Sequence, residues 1–297
     1  MTSIKYIERI SGEIVDELVP GEGILKWLYS SVLGKASLHL LVKRKIVSVV
    51  GGWFMNSRLS KPQIDKFIEK NQIDLSLYNI SDSNAFKNFN EFFYRKIRMD
   101  KRPIADGVVS PADGKAIAFQ SIKDIPSFFL KGSQFTVQSF LDNELLSEKY
   151  ADGSMLIVRL APADYHRFHF PASGLISESK EIKGRYFSVS PMALRESLEI
   201  FCRNLRVYST LKTEDYGDVL ISEVGATMVG SIIQTYTNNS EVKSGDEKGY
   251  FAFGGSTVVL FFEKNKMKFS DDLIKNTKGG FETAVQMGES IGNKFIE

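Results

Sequence analysis

The spacing of apolar residues changes along this chain, and each change predicts a different kind of structure. Between Gly21 and Arg58 apolar residues are dense but broken by Lys26, Lys35, Lys43, Arg44, Lys45 and Arg58, with no acidic residue after Glu22. Such a basic, apolar-rich stretch fits helices lying in a membrane interface, with Trp27 and Trp53 at headgroup level. Each basic residue near an anionic leaflet contributes on the order of 1 kcal/mol. Next, Ser60-Lys61-Pro62 predicts an N-cap and a first-turn proline for a helix running through Phe67-Ile68-Glu69. Phe86, Phe89 and Phe93 recur at helical spacing, as a stripe buried in a core would.

From about Gly107 the texture turns to short β-rich segments, at 115–119, 155–160, 207–211, 218–224, 228–232 and 257–262. In this half only 191–202 reads as a helix, and the polar stretches 237–240 and 244–249 read as loops. The tail after Lys264 is polar and is expected at the surface. The resulting expectation is an α+β protein: N-terminal membrane-associating helices in residues 1–60, then a mainly antiparallel β core in residues 61–297.

Composition narrows the function classes. A formal charge of +2 over 297 residues is too small to imply a nucleic-acid partner. The single cysteine, Cys202, makes no internal disulfide, and its neighbours suggest an inert place on a buried helix face. The first residues lack the apolar stretch of a signal peptide, which predicts synthesis in the cytoplasm. The uncharged or apolar runs at 224–240 and 46–57 fall short of the ~20 apolar residues of a membrane-spanning helix.

Three segments carry candidate chemistry. Gly254-Gly255-Ser256-Thr257 lies between the apolar runs 250–253 and 258–262. A serine hydroxyl there can attack the carbonyl carbon of the preceding residue, because glycine has no Cβ in the way and tolerates strained backbone angles. The ester so formed can eliminate across Cα and Cβ of Ser256, leaving dehydroalanine that hydrolyses to a pyruvoyl group and ammonia. The same tetrapeptide is also ordinary hairpin chemistry. In Leu160-Ala161-Pro162-Ala163-Asp164-Tyr165-His166-Arg167-Phe168-His169, two of the three histidines stand three residues apart and offer proton carriers, whereas His39 reads as a core residue. With one cysteine and no third histidine nearby, the pair does not suggest a metal site. Ser110-Pro111-Ala112-Asp113-Gly114 reads as a turn, or as a carboxylate held at a strand end to orient a histidine.

Together these segments resemble the phosphatidylserine decarboxylase family, over about residues 89–262. Phe89-Asn90-Glu91-Phe92-Phe93-Tyr94-Arg95, Arg102-Pro103-Ile104, Phe187-Ser188-Val189 and 224–232 belong to the same resemblance, and Gly-Gly-Ser-Thr looks like its second subgroup. Ser190-Pro191 departs from the asparagine many members carry after Phe-Ser-Val, which puts a headgroup contact there in doubt. The resemblance implies a proenzyme cut between Gly255 and Ser256 into a β chain, 1–255, and an α chain, 256–297, that opens with the pyruvoyl cofactor. It implies decarboxylation of phosphatidylserine to phosphatidylethanolamine through a Schiff base with that group. Asp113, His169 and Ser256 would form the cleavage relay, and His166 would return a proton to the substrate carbon, with Asp164 as rival to Asp113. The implied location is peripheral, on the cytoplasmic side of the cell membrane, with homodimer formation left open. A serine hydrolase is the competing enzyme class, but Val258 stands where Gly-x-Ser-x-Gly needs its last glycine. A non-catalytic membrane-bound β module is the competing non-enzyme.

Overall fold

The computed structural model describes residues 5–17, 45–78, 80, 82–125, 136–184, 202–225, 232–252, 254 and 256–296, with main chain only for 45–50. In chain order come strands β1 (Lys5–Glu8) and β2 (Ile14–Asp16), then helices α1 (Lys45–Asn56), α2 (Gln63–Asn71) and α3 (Phe89–Phe93). Strands β3 (Val108–Val109) and β4 (Gly114–Phe119), helices α4 (Val137–Leu141) and α5 (Glu144–Tyr150), and β5 (Ser154–Leu160) follow. Next are β6 (Arg167–His169), β7 (Gly174–Ile176), β8 (Lys180–Ile182), β9 (Arg206–Lys212) and β10 (Asp218–Gly225). After these come β11 (Ile232–Gln234), β12 (Ser240–Val242), β13 (Glu247–Phe251) and β14 (Ser256–Phe262). Beyond them lie β15 (Met267–Phe269), α6 (Asp271–Lys278), β16 (Glu282–Val285) and β17 (Ser290–Lys294).

Eleven strands share one sheet, in the order β12-β7-β9-β10-β14-β5-β4-β16-β1-β2 with β8 beside β9. Two three-stranded sheets, β11-β13-β6 and β15-β17-β3, accompany it. Among the described strand pairs only β1 with β16 is parallel, so the mainly antiparallel α+β expectation holds.

The large sheet is covered on both faces, and β14 shows why its sequence is an unbroken apolar run. Val258, Leu260 and Phe262 face one cluster with Phe168, Phe251, Met267, Phe269 and Leu273. Val259 and Phe261 face the other, with Phe119, Phe140 and Tyr150. A strand buried on both faces has no polar side to show. Each of these larger side chains stabilises the fold by roughly 1.5–3 kcal/mol. A third cluster joins Ile64, Phe86, Phe89, Phe92 and Phe93, where the phenylalanine stripe expected of a helix does pack. Asn88 caps α3 by accepting from the Glu91 N–H at 2.9 Å.

Several expectations are corrected. Residues 1–60 are not helical throughout, since β1 and β2 form a hairpin that extends the large sheet. Ser60 is not an N-cap: Pro62 holds that position, and the buried Ser60 hydroxyl donates to Met55 O and Ser57 O while accepting from Phe89 N–H. The tail after Lys264 is not a surface appendage, because Met267, Phe269, Leu273, Val285 and Ile291 are all buried. The stretch 244–249 is a loop only in its first half, Glu247 opening β13. Cys202 is half-buried, with its sulfur 3.2 Å from Ser139 Oγ. Trp27, His39, Ser190-Pro191, most of the helix expected at 191–202 and most of the strand expected at 228–232 lie outside the described residues. Among the described residues no helix is long and apolar enough to cross a membrane.

Candidate active site

Ser256 opens β14 and is locked from both sides, paired in register with Gly225 of β10 and Leu160 of β5. It is fully buried, and its Oγ has no hydrogen-bond partner among the described residues. A buried hydroxyl left unpaired costs about 1–3 kcal/mol, so the fold carries this group at a loss unless it has chemical work. Gly254 takes φ +145°, a conformation that favours glycine. Gly255 lies outside the described residues.

The two histidines part company at the start of β6. His169, inside the strand, has Nδ1 2.9 Å from Gly245 O and Nε2 3.0 Å from the Tyr165 hydroxyl. A carbonyl only accepts, so Nδ1 carries the proton and Nε2 is the basic nitrogen. Burial pushes the imidazole's pKa down, against the Gly245 carbonyl and the charges of Glu247 and Asp113. His166 precedes the strand and lies 3.8 Å, centroid to centroid, from the Phe93 ring of α3. Its Nδ1 is 2.8 Å from Asp164 O, and its buried Nε2 has no partner among the described residues. Burial pushes its pKa down to about 3, partly opposed by the Asp164 carbonyl. His166 is therefore neutral near pH 7 with a bare lone pair at Nε2.

The carboxylates are placed differently from the expected relay. Asp113 sits between β3 and β4, and its oxygens accept from Arg102 Nε at 3.0 Å, Arg102 Nη2 at 2.6 Å and Met287 N–H at 2.8 Å. Both nitrogens of His169 are engaged elsewhere, so Asp113 does not orient that ring by a direct hydrogen bond. The link is one of placement and field: His169 N–H donates to Pro111 O at 2.7 Å, and the Asp113 charge favours the imidazolium. Asp164, the rival carboxylate, serves the other histidine. Its side chain accepts from Lys115 Nζ at 2.9 and 3.0 Å and from Ala161 N–H at 2.7 Å, which staples the turn whose carbonyl fixes the His166 tautomer. Strand β4 and the loop before it thus supply a charged group to each histidine.

Arg102 and Lys115 lie inside the recognisable motifs, yet nothing in local spacing assigns them partners, whereas Tyr165 meets His169 four residues on. Arg102 meets Asp113 across eleven residues, and Lys115 meets Asp164 across 49. Only the charge of each, next to an apolar run, was a signal.

The family described as phosphatidylserine decarboxylase matches residues 89–293. A Fusobacterium nucleatum protein named phosphatidylserine decarboxylase proenzyme is 51% identical over 296 residues, covering 98% of both chains. Proteins of the same name from Clostridium botulinum and Clostridium perfringens are each 45% identical over 294 residues, covering 98% of this chain and 99% and 100% of their own. With these matches spanning nearly the whole length, the chain belongs to the phosphatidylserine decarboxylase family of enzymes.

Proposed function

We propose that the chain is a self-cleaving proenzyme that cuts between Gly255 and Ser256 and then converts phosphatidylserine to phosphatidylethanolamine. The observation that carries this is the buried, unpartnered Ser256 hydroxyl at the head of β14, in a chain whose relatives bear the name proenzyme. Neutral His169, with Nε2 as its base, takes the hydroxyl proton, and the Asp113 charge stabilises the imidazolium. The Tyr165 hydroxyl now occupies Nε2 and has to yield it to the serine. Ser256 Oγ bonds to the Gly255 carbonyl carbon as the Gly255–Ser256 amide bond breaks, and elimination from the ester releases the Gly255 carboxylate. Six residues of β14 remain paired with β10 and seven with β5, so the two chains stay one folded unit.

The site fits a pyruvoyl group at position 256, since the Oγ that leaves with Gly255 is buried and has no hydrogen bond to lose among the described residues. Such a ketone supplies an electron sink for the pair released with carbon dioxide. His166 is assigned the proton return: its Nε2, without a partner among the described residues, is the nitrogen that would hand a proton to the carbon that has lost carbon dioxide. General acid–base help of this kind is worth about 10²- to 10⁴-fold. Phe93 and the Asp164 carbonyl hold the ring, and burial excludes water from it.

A lipid substrate fits the expected peripheral location on the cytoplasmic side of the cell membrane. The basic N-terminal segment up to residue 60 supports this, as do Trp53 and Leu59, each 73% exposed. The catalytic domain is then 61–297 with the β1–β2 hairpin added to its sheet. Incubating the purified protein with phosphatidylserine vesicles tests the proposal: two fragments and ethanolamine lipid are expected, and a whole chain making neither refutes it.

A further inference from the structure

Strands β13 and β6 pair with one residue too many: Glu247 stands opposite His169, Gly249 opposite Phe168, and Lys248 is the extra residue between them. A bulge re-aims a side chain, and bulges recur beside active sites. This one delivers Lys248 from the sheet that carries His169 to Glu223 on β10, in the sheet that carries Ser256. Lys248 Nζ donates to Glu223 Oε1 and to Gln234 Oε1, both at 2.9 Å, and Gln234 Nε2 donates to Glu223 Oε2 at 2.7 Å. The ring of three side chains closes across β10, β11 and β13. The ammonium also lies over the rings of Tyr236 and Phe168, 5.1 and 5.6 Å from their centroids. Gly249 makes room for the bulge, because a Cβ there would meet Ile233 O at 2.1 Å.

Both charged side chains are 0% exposed. Burial pushes the Glu223 carboxyl up and the Lys248 ammonium down, each opposed by the charge of the other. Buried ion pairs are poor sources of stability; apolar side chains of similar size are often neutral or better. What such a pair supplies is one fixed arrangement of the elements it joins. The elements here are the two that self-cleavage needs: Glu223 is two residues from Gly225, the register partner of Ser256, and Lys248 is the extra residue beside the partner of His169.

We propose that the Glu223–Lys248–Gln234 ring is a positioning device for self-cleavage, pinning the sheet that bears the histidine base against the sheet that bears the serine nucleophile. It rests on the self-cleaving function proposed above. The pair acts through His169 and Ser256 and touches neither reacting atom. A misplacement of about 1 Å at reacting groups costs on the order of 10²-fold in rate, so loss of the pin falls on cleavage rather than on folding.

The test is the full chain carrying Glu223→Leu with Lys248→Met, followed from synthesis by fragment yield against time, beside its thermal midpoint. Cleavage at least about tenfold slower is expected, with a midpoint equal to or above that of the unsubstituted chain. In a Ser256→Ala background, the His169 Nδ1–H resonance, bonded to Gly245 O, should exchange faster with solvent in the double variant. Cleavage within twofold of the unsubstituted rate in the folded double variant overturns the proposal. Should that variant fail to fold, Glu223→Gln, which keeps an acceptor for Lys248 and removes the charge, is judged by the same two rates. The unsubstituted chain separates the two proposals: if it stays whole both fall, and if it cuts no faster than the variant only the positioning device falls.

Discussion

Replacing His166 by phenylalanine should flatten the acid side of the protein's stability profile. The folded chain holds this imidazole neutral down to about pH 3, because it is fully buried against Phe93. In the unfolded chain it protonates near pH 6.5. Its folded pKa is the lower one, so its neutral form supports the fold above pH 6.5, and that support drains away as pH falls towards the folded value. Between those limits the unfolded state binds one more proton, and stability drops by about 1.4 kcal/mol per pH unit. From pH 7.5 to 5 the ring alone removes about 2 kcal/mol. Phenylalanine keeps an aromatic face for Phe93 and has nothing to titrate. With Ser256→Ala in both proteins to maintain a single species, urea unfolding followed by tryptophan fluorescence should show His166→Phe losing about 2 kcal/mol less over that range. Equal losses in parent and variant would mean that the imidazole is not held neutral, and with it would go the bare Nε2 on which the proton-transfer role depends.

Other perturbations have defined outcomes. Lys115→Met removes a positive charge that pushes the His166 pKa down, so the His166 titration followed by NMR, and the acid limb of turnover, should move to higher pH; Asp164→Asn should move them the other way, and shifts of the same sign would refute this electrostatic account. Gly249→Ala drives a Cβ to 2.1 Å from Ile233 O and 2.7 Å from the Phe168 ring, and should cost upward of about 2 kcal/mol by urea unfolding, against a tolerated alanine if the bulge is not tight. Trp53→Ala with Leu59→Ala, both solvent-facing, should lower sedimentation with anionic vesicles while leaving fragment yield unchanged; undiminished binding would remove this surface from the membrane contact.

Much of this architecture is visible in the sequence where burial is local and continuous. The runs at 155–160 and 257–262 are apolar apart from Arg159 and Thr257 because both faces of their sheet are covered, and the structure extends each by a single residue. Residues beyond Lys264 defeated the same logic because Met267 and Phe269 alternate with lysines and Leu273 stands between aspartates and Lys275, each buried in a cluster built from elsewhere in the chain. Lys248 is harder still: a lysine within a polar stretch signals solvent, and its burial is made tolerable by Glu223, 25 residues away, and Gln234, 14 away. The site divides in the same way. Ser256, His166 and His169 are legible because their chemistry is carried by residue type and short spacing. The partner of each histidine is not, because it is a main-chain carbonyl, Gly245 O or Asp164 O, which any sequence could supply. Arg159, ion-paired with both Glu17 and Glu282, joins three segments that no local pattern connects.

The central claim is that Ser256 cuts the chain and becomes its reactive ketone, and the intact mass of the purified protein tests it most directly. Two masses are predicted, one for residues 1–255 and one for residues 256–297 with the amine of Ser256 replaced by a ketone, the smaller fragment resisting Edman degradation. Ser256→Ala should give one mass, that of all 297 residues. A single full-length mass from the unsubstituted protein, or a normally cut alanine variant, would contradict the account.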